Sequence, residues 1–145
     1  MKKPIVFIIV SAIILVLVAF APYPSKTTKT MSGVVTYSDG NAEEFTASVT
    51  IQENRFLFFS NRYVVKVEMP SLFIHNSTIK LSFKGGEKYS PEGNIIATGE
   101  AVFDSSQNGY VSGGTLFISK NFEMLEIDSL GITGFKNAKI TLKGE

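Results

Sequence analysis

His75, in the stretch "LFIHNSTIK", is the only histidine among 145 residues. It is therefore the one side chain whose ordinary pKa suits proton transfer near neutral pH. A serine hydrolase would have to recruit it, yet no G-x-S-x-G elbow is present to offer a nucleophile. We read His75 as a loop residue between two strands. Cysteine is absent altogether, which removes thiol nucleophiles, disulfides and thiolate zinc sites together. Glu43 and Glu44 form an acid pair, but adjacent residues of a strand face opposite sides. Such a pair does not converge on a glycosidic bond as glycosidase carboxylates must. No catalytic residue is assigned, and an enzyme is not the expected reading.

Metal chemistry is tested by "DGNAEE", where Asp39, Asn41 and Glu43 alternate as oxygen ligands do in calcium loops. An EF-hand loop beginning at Asp39 would need glycine where Glu44 stands and glutamate where Thr50 stands. The letters fit a D-G turn with exposed acids instead. The glycines of "NGYVSGGTLF" lack the spacing and strand-to-helix setting of a phosphate loop; they read as turn, bulge or packing positions. Asn76-Ser77-Thr78 matches the N-glycosylation triplet, which matters only in a eukaryotic secretory host. Neither a cofactor nor a metal is expected.

Contact chemistry is better represented. "Arg55-Phe56-Leu57-Phe58-Phe59" is apolar at every position after the arginine. In a strand, Phe56 and Phe58 would share one face, and Leu57 and Phe59 the other. "Leu72-Phe73-Ile74" and "Leu116-Phe117-Ile118" repeat the pattern briefly. Only one face of such a strand meets a core, so the other needs a covering loop, a protein partner or a bilayer. Phe56, Leu57, Phe58 and Phe59 are accordingly the candidate apolar contact patch.

What must position these residues is a chain of two unlike parts. Ile5 to Ala21, "IVFIIVSAIILVLVAFA", has Ser11 as its only polar interruption. Seventeen helical residues rise ~25 Å, at the short end of what spans a membrane and longer than a usual signal-peptide core. Ala19 and Ala21 supply a small-x-small cleavage pattern, but the cut would fall before Pro22, whose ring removes the backbone N–H and fixes φ. The expectation is a retained transmembrane signal-anchor over residues 5–21, with residues 1–4 cytoplasmic. Lys2 and Lys3 precede it, in keeping with the positive-inside tendency. Tyr23 suits the headgroup level, and residues 22–30 read as a short polar linker.

After Met31 the hydrophobic period becomes two. Phe45, Ala47, Val49 and Ile51 alternate with Thr46, Ser48, Thr50 and Gln52; Tyr63 to Met69, Ile79 to Phe83 and Ala138 to Leu142 do likewise. Asp39-Gly40, Glu53-Asn54, Ser60-Asn61, Gly85-Gly86, Asn108-Gly109 and Lys136-Asn137 are the expected turns. "NFEMLEIDSL" is the least clear segment. The fold class is all-β: an antiparallel β-sandwich or small barrel of about 8–10 short strands over residues 31–145, behind one transmembrane helix.

Charge narrows the partners. Four of the fourteen basic residues and none of the thirteen acids precede Met31, leaving the domain at about −3. Nucleic acid, whose binding needs clustered Lys and Arg, is not an expected partner. Type IV pilins also join an apolar helix to a β domain, but their processing glycine and helix glutamate have no counterpart in residues 5–21. The expected function is a single-pass, membrane-anchored protein at the cell membrane. It would present a non-catalytic binding or assembly module on the extracytoplasmic side. The alternatives are a structural or stress-related envelope protein without a specific ligand, and a secreted protein or hydrolase.

Overall fold

The alternation at residues 45–52 runs further than the short strands its letters suggest. In the computed structural model, β1 (Tyr23–Thr36) and β2 (Ala42–Arg55) form a long antiparallel hairpin, in register from Tyr23↔Arg55 to Thr36↔Ala42. Residues 3–70, 78–86, 95–99, 111–112, 114–119, 121–132 and 135–144 are described by the structure. The remaining described elements are the helix α1 (Lys3–Phe20) and the strands β3 (Arg62–Pro70), β4 (Thr78–Gly86), β5 (Ile95–Gly99), β6 (Val111–Ser112), β7 (Gly114–Ile118), β8 (Met124–Ile132) and β9 (Phe135–Gly144).

All described pairings are antiparallel, in the order β4-β3-β2-β1-β9-β8-β7-β5, with β6 on β8. Two meanders meet where β1 pairs β9, from Met31↔Gly144 to Thr36↔Lys139. At the opposite ends β4 comes close to β5, so the sheet curls into a nearly closed barrel. Of the two all-β architectures expected, the barrel-like one is observed. Closing one sheet on itself conceals most strand edges, which two stacked sheets leave open. The β8–β9 ladder shifts register between Ile127 and Leu130 and again before Ile132, irregularities of the kind that help a sheet bend.

The core is the inward half of each alternation. Met31, Val35, Ala47, Val49, Ile51, Tyr63, Val65, Val67 and Met69 are buried along β1 to β3, and Leu116, Ile118, Leu125, Ile127, Ile140 and Leu142 along β7 to β9. Gly33 lies on this inner face opposite Phe45 and Leu142, which fill the space its side chain lacks. A Cβ there would sit 2.5 Å from Phe45 Cζ and 2.7 Å from Leu142 Cδ2. The expected D-G turn is present: Gly40, at φ 88°, donates to the Tyr37 carbonyl at 3.0 Å.

Three expectations change. Glu53-Asn54 is interior to β2 and paired on both sides, and Lys136-Asn137 lies within β9 at the register shift between Phe135 and Ala138, so neither is a turn. Tyr23 to Thr30 is not a free spacer but strand, paired residue by residue with Ser48 to Arg55. "NFEMLEIDSL" resolves into a turn at residues 121–123 followed by β8.

A helix is present where the apolar run predicts one. Its 18 residues rise ~27 Å, and among the described residues no helix is long and apolar enough to cross a membrane. A spanning helix is thus not shown. The helix does not join the core: apart from half-buried Ser11 and Ala19, every residue from Pro4 to Phe20 is exposed.

Candidate functional site at the barrel end beside the helix

The inward parity that buries Phe45, Ala47, Val49 and Ile51 brings one more side chain inside: Glu53, only 8% exposed. It is the one buried polar or charged residue among those described. A carboxylate so placed needs partners for both oxygens. Oε1 accepts from the Tyr63 hydroxyl at 3.0 Å and the Asn61 amide at 3.2 Å. Oε2 accepts from Arg55 Nε at 2.9 Å, and the second guanidinium nitrogen lies at 2.8 Å, a two-pronged pairing. The carboxylate in turn raises the Arg55 pKa, first by hydrogen bonding and then by charge.

These four residues bracket the β2–β3 connection, residues 56–61, and fasten it. Arg55 ends β2, Asn61 precedes β3, and Tyr63 is its second residue. The "RFLFF" stretch is therefore not a strand with two apolar faces. Pairing of β2 with β3 stops at Asn54↔Arg62, and the phenylalanines follow in the connecting loop. The expected division into Phe56/Phe58 and Leu57/Phe59 faces does not apply. Phe56 is half-buried, its ring beneath the Arg62 guanidinium at 6.0 Å and edge-on to Phe59 at 6.4 Å. Leu57, Phe58 and Phe59 project outward, 61%, 73% and 54% exposed.

The loop stands at the foot of the helix. Phe59 meets Phe20, the last residue of α1, with ring centroids 5.3 Å apart. Tyr23 pairs with Arg55 at the start of the β1–β2 ladder, and its hydroxyl reaches back to the Val18 carbonyl at 3.4 Å. Phe122 packs against Tyr63 at 6.3 Å and against the core. It holds a left-handed conformation, φ 57°, in the turn where its N–H donates to the Ser119 carbonyl.

The other sequence candidates do not gather here. Asp39 accepts from the Asn41 backbone and side chain within its own turn, at 2.9 and 2.7 Å. Glu43 and Glu44 are exposed on β2; Glu44 borders a shallow, open concavity of about 500 Å³ with outward residues Ser32, Val34, Thr46, Thr141 and Lys143. No group of three or more metal-binding side chains assembles among the described residues. His75, the Leu72-Phe73-Ile74 run, Asn76-Ser77 and Asn108-Gly109 lie outside the described residues. Phe117 is half-buried in β7, between buried Leu116 and Ile118.

Sequence reasoning singled out the apolar residues after Arg55 as a strand but missed the polar cluster beside them. Glu53 reads as a turn residue beside Asn54, although the odd-numbered inward series from Phe45 points straight at it. Comparison with protein families, curated proteins and solved structures found no match.

Proposed function

We propose that this chain is a membrane-anchored protein in which α1 inserts into a bilayer and holds the barrel-like domain at its surface as a non-catalytic binding or assembly module. The observation that carries the reading is the exposure of a helix whose only polar residues are Lys3 at its start and Ser11. A helix that is hydrophobic all round is stable only when something covers it, and this one packs its length against no part of the described domain. Thirteen of its large apolar side chains are exposed, far beyond the patches a soluble monomer tolerates.

A bilayer supplies that cover. The ~27 Å rise of α1 is a few ångströms below a ~30 Å hydrocarbon core, a mismatch that local thinning and interfacial side chains absorb at modest cost. Tyr23 follows at the headgroup level. Lys2 and Lys3 favour an N-terminus on the cytoplasmic side, which puts the domain outside. The module reading rests on the exposed loop beside the end of the helix.

Flotation of the full chain with phosphatidylcholine vesicles tests the anchor. The wild-type chain is expected to float and to stay bound in high salt. Ile14→Lys, placing a charge at the helix centre, is expected to shift the equilibrium towards the unbound fraction without altering the domain's melt. A wild-type chain that remains at the bottom of the gradient while folded contradicts the reading.

A further inference from the structure

The β2–β3 loop has the composition of a membrane-inserting tip and the position of one. We infer that Leu57, Phe58 and Phe59 form a second lipid contact, entering the same leaflet in which α1 ends and fixing the barrel's orientation on the bilayer. The inference rests on the anchor reading above and adds a defined occupant to the loop, the interfacial layer of that bilayer.

Three observations converge. The first is continuity: Phe59 lies against Phe20 at 5.3 Å, so the tip extends the apolar surface of α1 sideways at the end where the helix is short of a full span. The second is the order of side chains away from the tip. Exposed Leu57, Phe58 and Phe59 come first; Arg55, Arg62 and Tyr23 stand behind them at the ladder's end, where Tyr23 pairs with Arg55 and Asn54 with Arg62. Apolar residues backed by the Arg62 guanidinium and a tyrosine match acyl chains backed by anionic headgroups, while Arg55 is held by Glu53. Lys26, exposed a short way along β1, continues the positive side.

The third observation is that both ends of the loop are fastened: Glu53 grips Arg55 on one side and Asn61 and Tyr63 on the other. Phe56, under Arg62, fills the loop's inner side. A second copy of the chain is the rival occupant. The neighbouring apolar helix and the exposed Arg62 favour lipid.

The chain contains no tryptophan, so a single introduced one reports its own surroundings. Phe58→Trp, Leu15→Trp in α1 and Val34→Trp on the outer face of β1 are each made in the full chain. They are bound to vesicles of phosphatidylcholine and phosphatidylglycerol carrying brominated acyl chains. The inference expects a blue shift and loss of emission for Phe58→Trp and Leu15→Trp, with Val34→Trp unaffected. Quenching of Leu15→Trp alone overturns the tip contact and leaves the anchor standing. Quenching of neither overturns the anchor and the tip contact with it. A Phe58→Trp emission that shifts without vesicles, in proportion to protein concentration, overturns the lipid assignment in favour of self-association. Each variant's melt is compared with that of the wild type. Should Phe58→Trp fail to fold, Phe59→Trp reports on the same tip, with the same expected and overturning results.

Discussion

At the residue scale the decisive side chain is Glu53, because it is buried and its partners are the residues that shape the loop. Removing it takes one acceptor from the Tyr63 hydroxyl and from the Asn61 amide and breaks the pair with Arg55. Glu53→Ala is expected to lower stability by about 1–3 kcal/mol, the range for buried hydrogen bonds to a charged group, read from the urea midpoint. Arg55→Ala should cost less than Glu53→Ala, since the arginine side chain is itself 63% exposed and only Oε2 of the carboxylate loses its partner. Gly33 is the complementary case, where a side chain must be absent. Gly33→Ala drives a methyl group against Phe45 and Leu142 and is expected to cost about 1–3 kcal/mol by overpacking, measured in the same way. Tyr37 gives a pH signature. Burial, and then Glu43, raise its pKa above the ordinary 10.0. The folded state therefore holds this proton more tightly than the unfolded chain does. Its contribution is complete below pH 10 and is lost as pH rises through the folded value. Thermal melts should show a fall in stability above that pH, and a shallower fall in Tyr37→Phe.

At the scale of elements, β1 divides in two. Met31 to Thr36 pair on both sides, with β2 and β9, whereas Tyr23 to Thr30 pair with β2 alone among the described residues. Pro24, Lys26 and Lys29 lie along that one-sided stretch, the residue types that discourage further strand addition. Hydrogen exchange should separate the halves, with amides throughout residues 31–36 protected and those of residues 25–30 protected only where they point to β2. Uniform fast exchange over residues 25–30 would mean the segment is the loose spacer its composition suggests. That stretch also shows where sequence reading stops. The alternation of Phe45 to Ile51 and of Tyr63 to Met69 is visible because each strand buries one face. Tyr23 to Thr30 buries almost nothing, so pairing leaves no hydrophobic trace in its letters. The phenylalanines after Arg55 mislead in the opposite direction: apolar residues usually mark strand, and here they mark an exposed loop.

For the whole molecule, the all-β class and the inward residues were legible, and the choice of barrel over sandwich was not. Sheet closure depends on which strands meet at a distance, β1 with β9 and β4 beside β5, and periodicity carries no such information. The helix itself was legible from composition alone; its relation to the loop at Phe59 was not. The account stands on α1 lying in a bilayer, and fractionation of cells producing the full chain, with intact mass determined on each fraction, tests this most directly. The predicted result is a chain retaining its N-terminal segment, found with membranes, resistant to alkaline carbonate and released by detergent. A folded chain recovered in the soluble fraction with residues 1–21 still attached would contradict it.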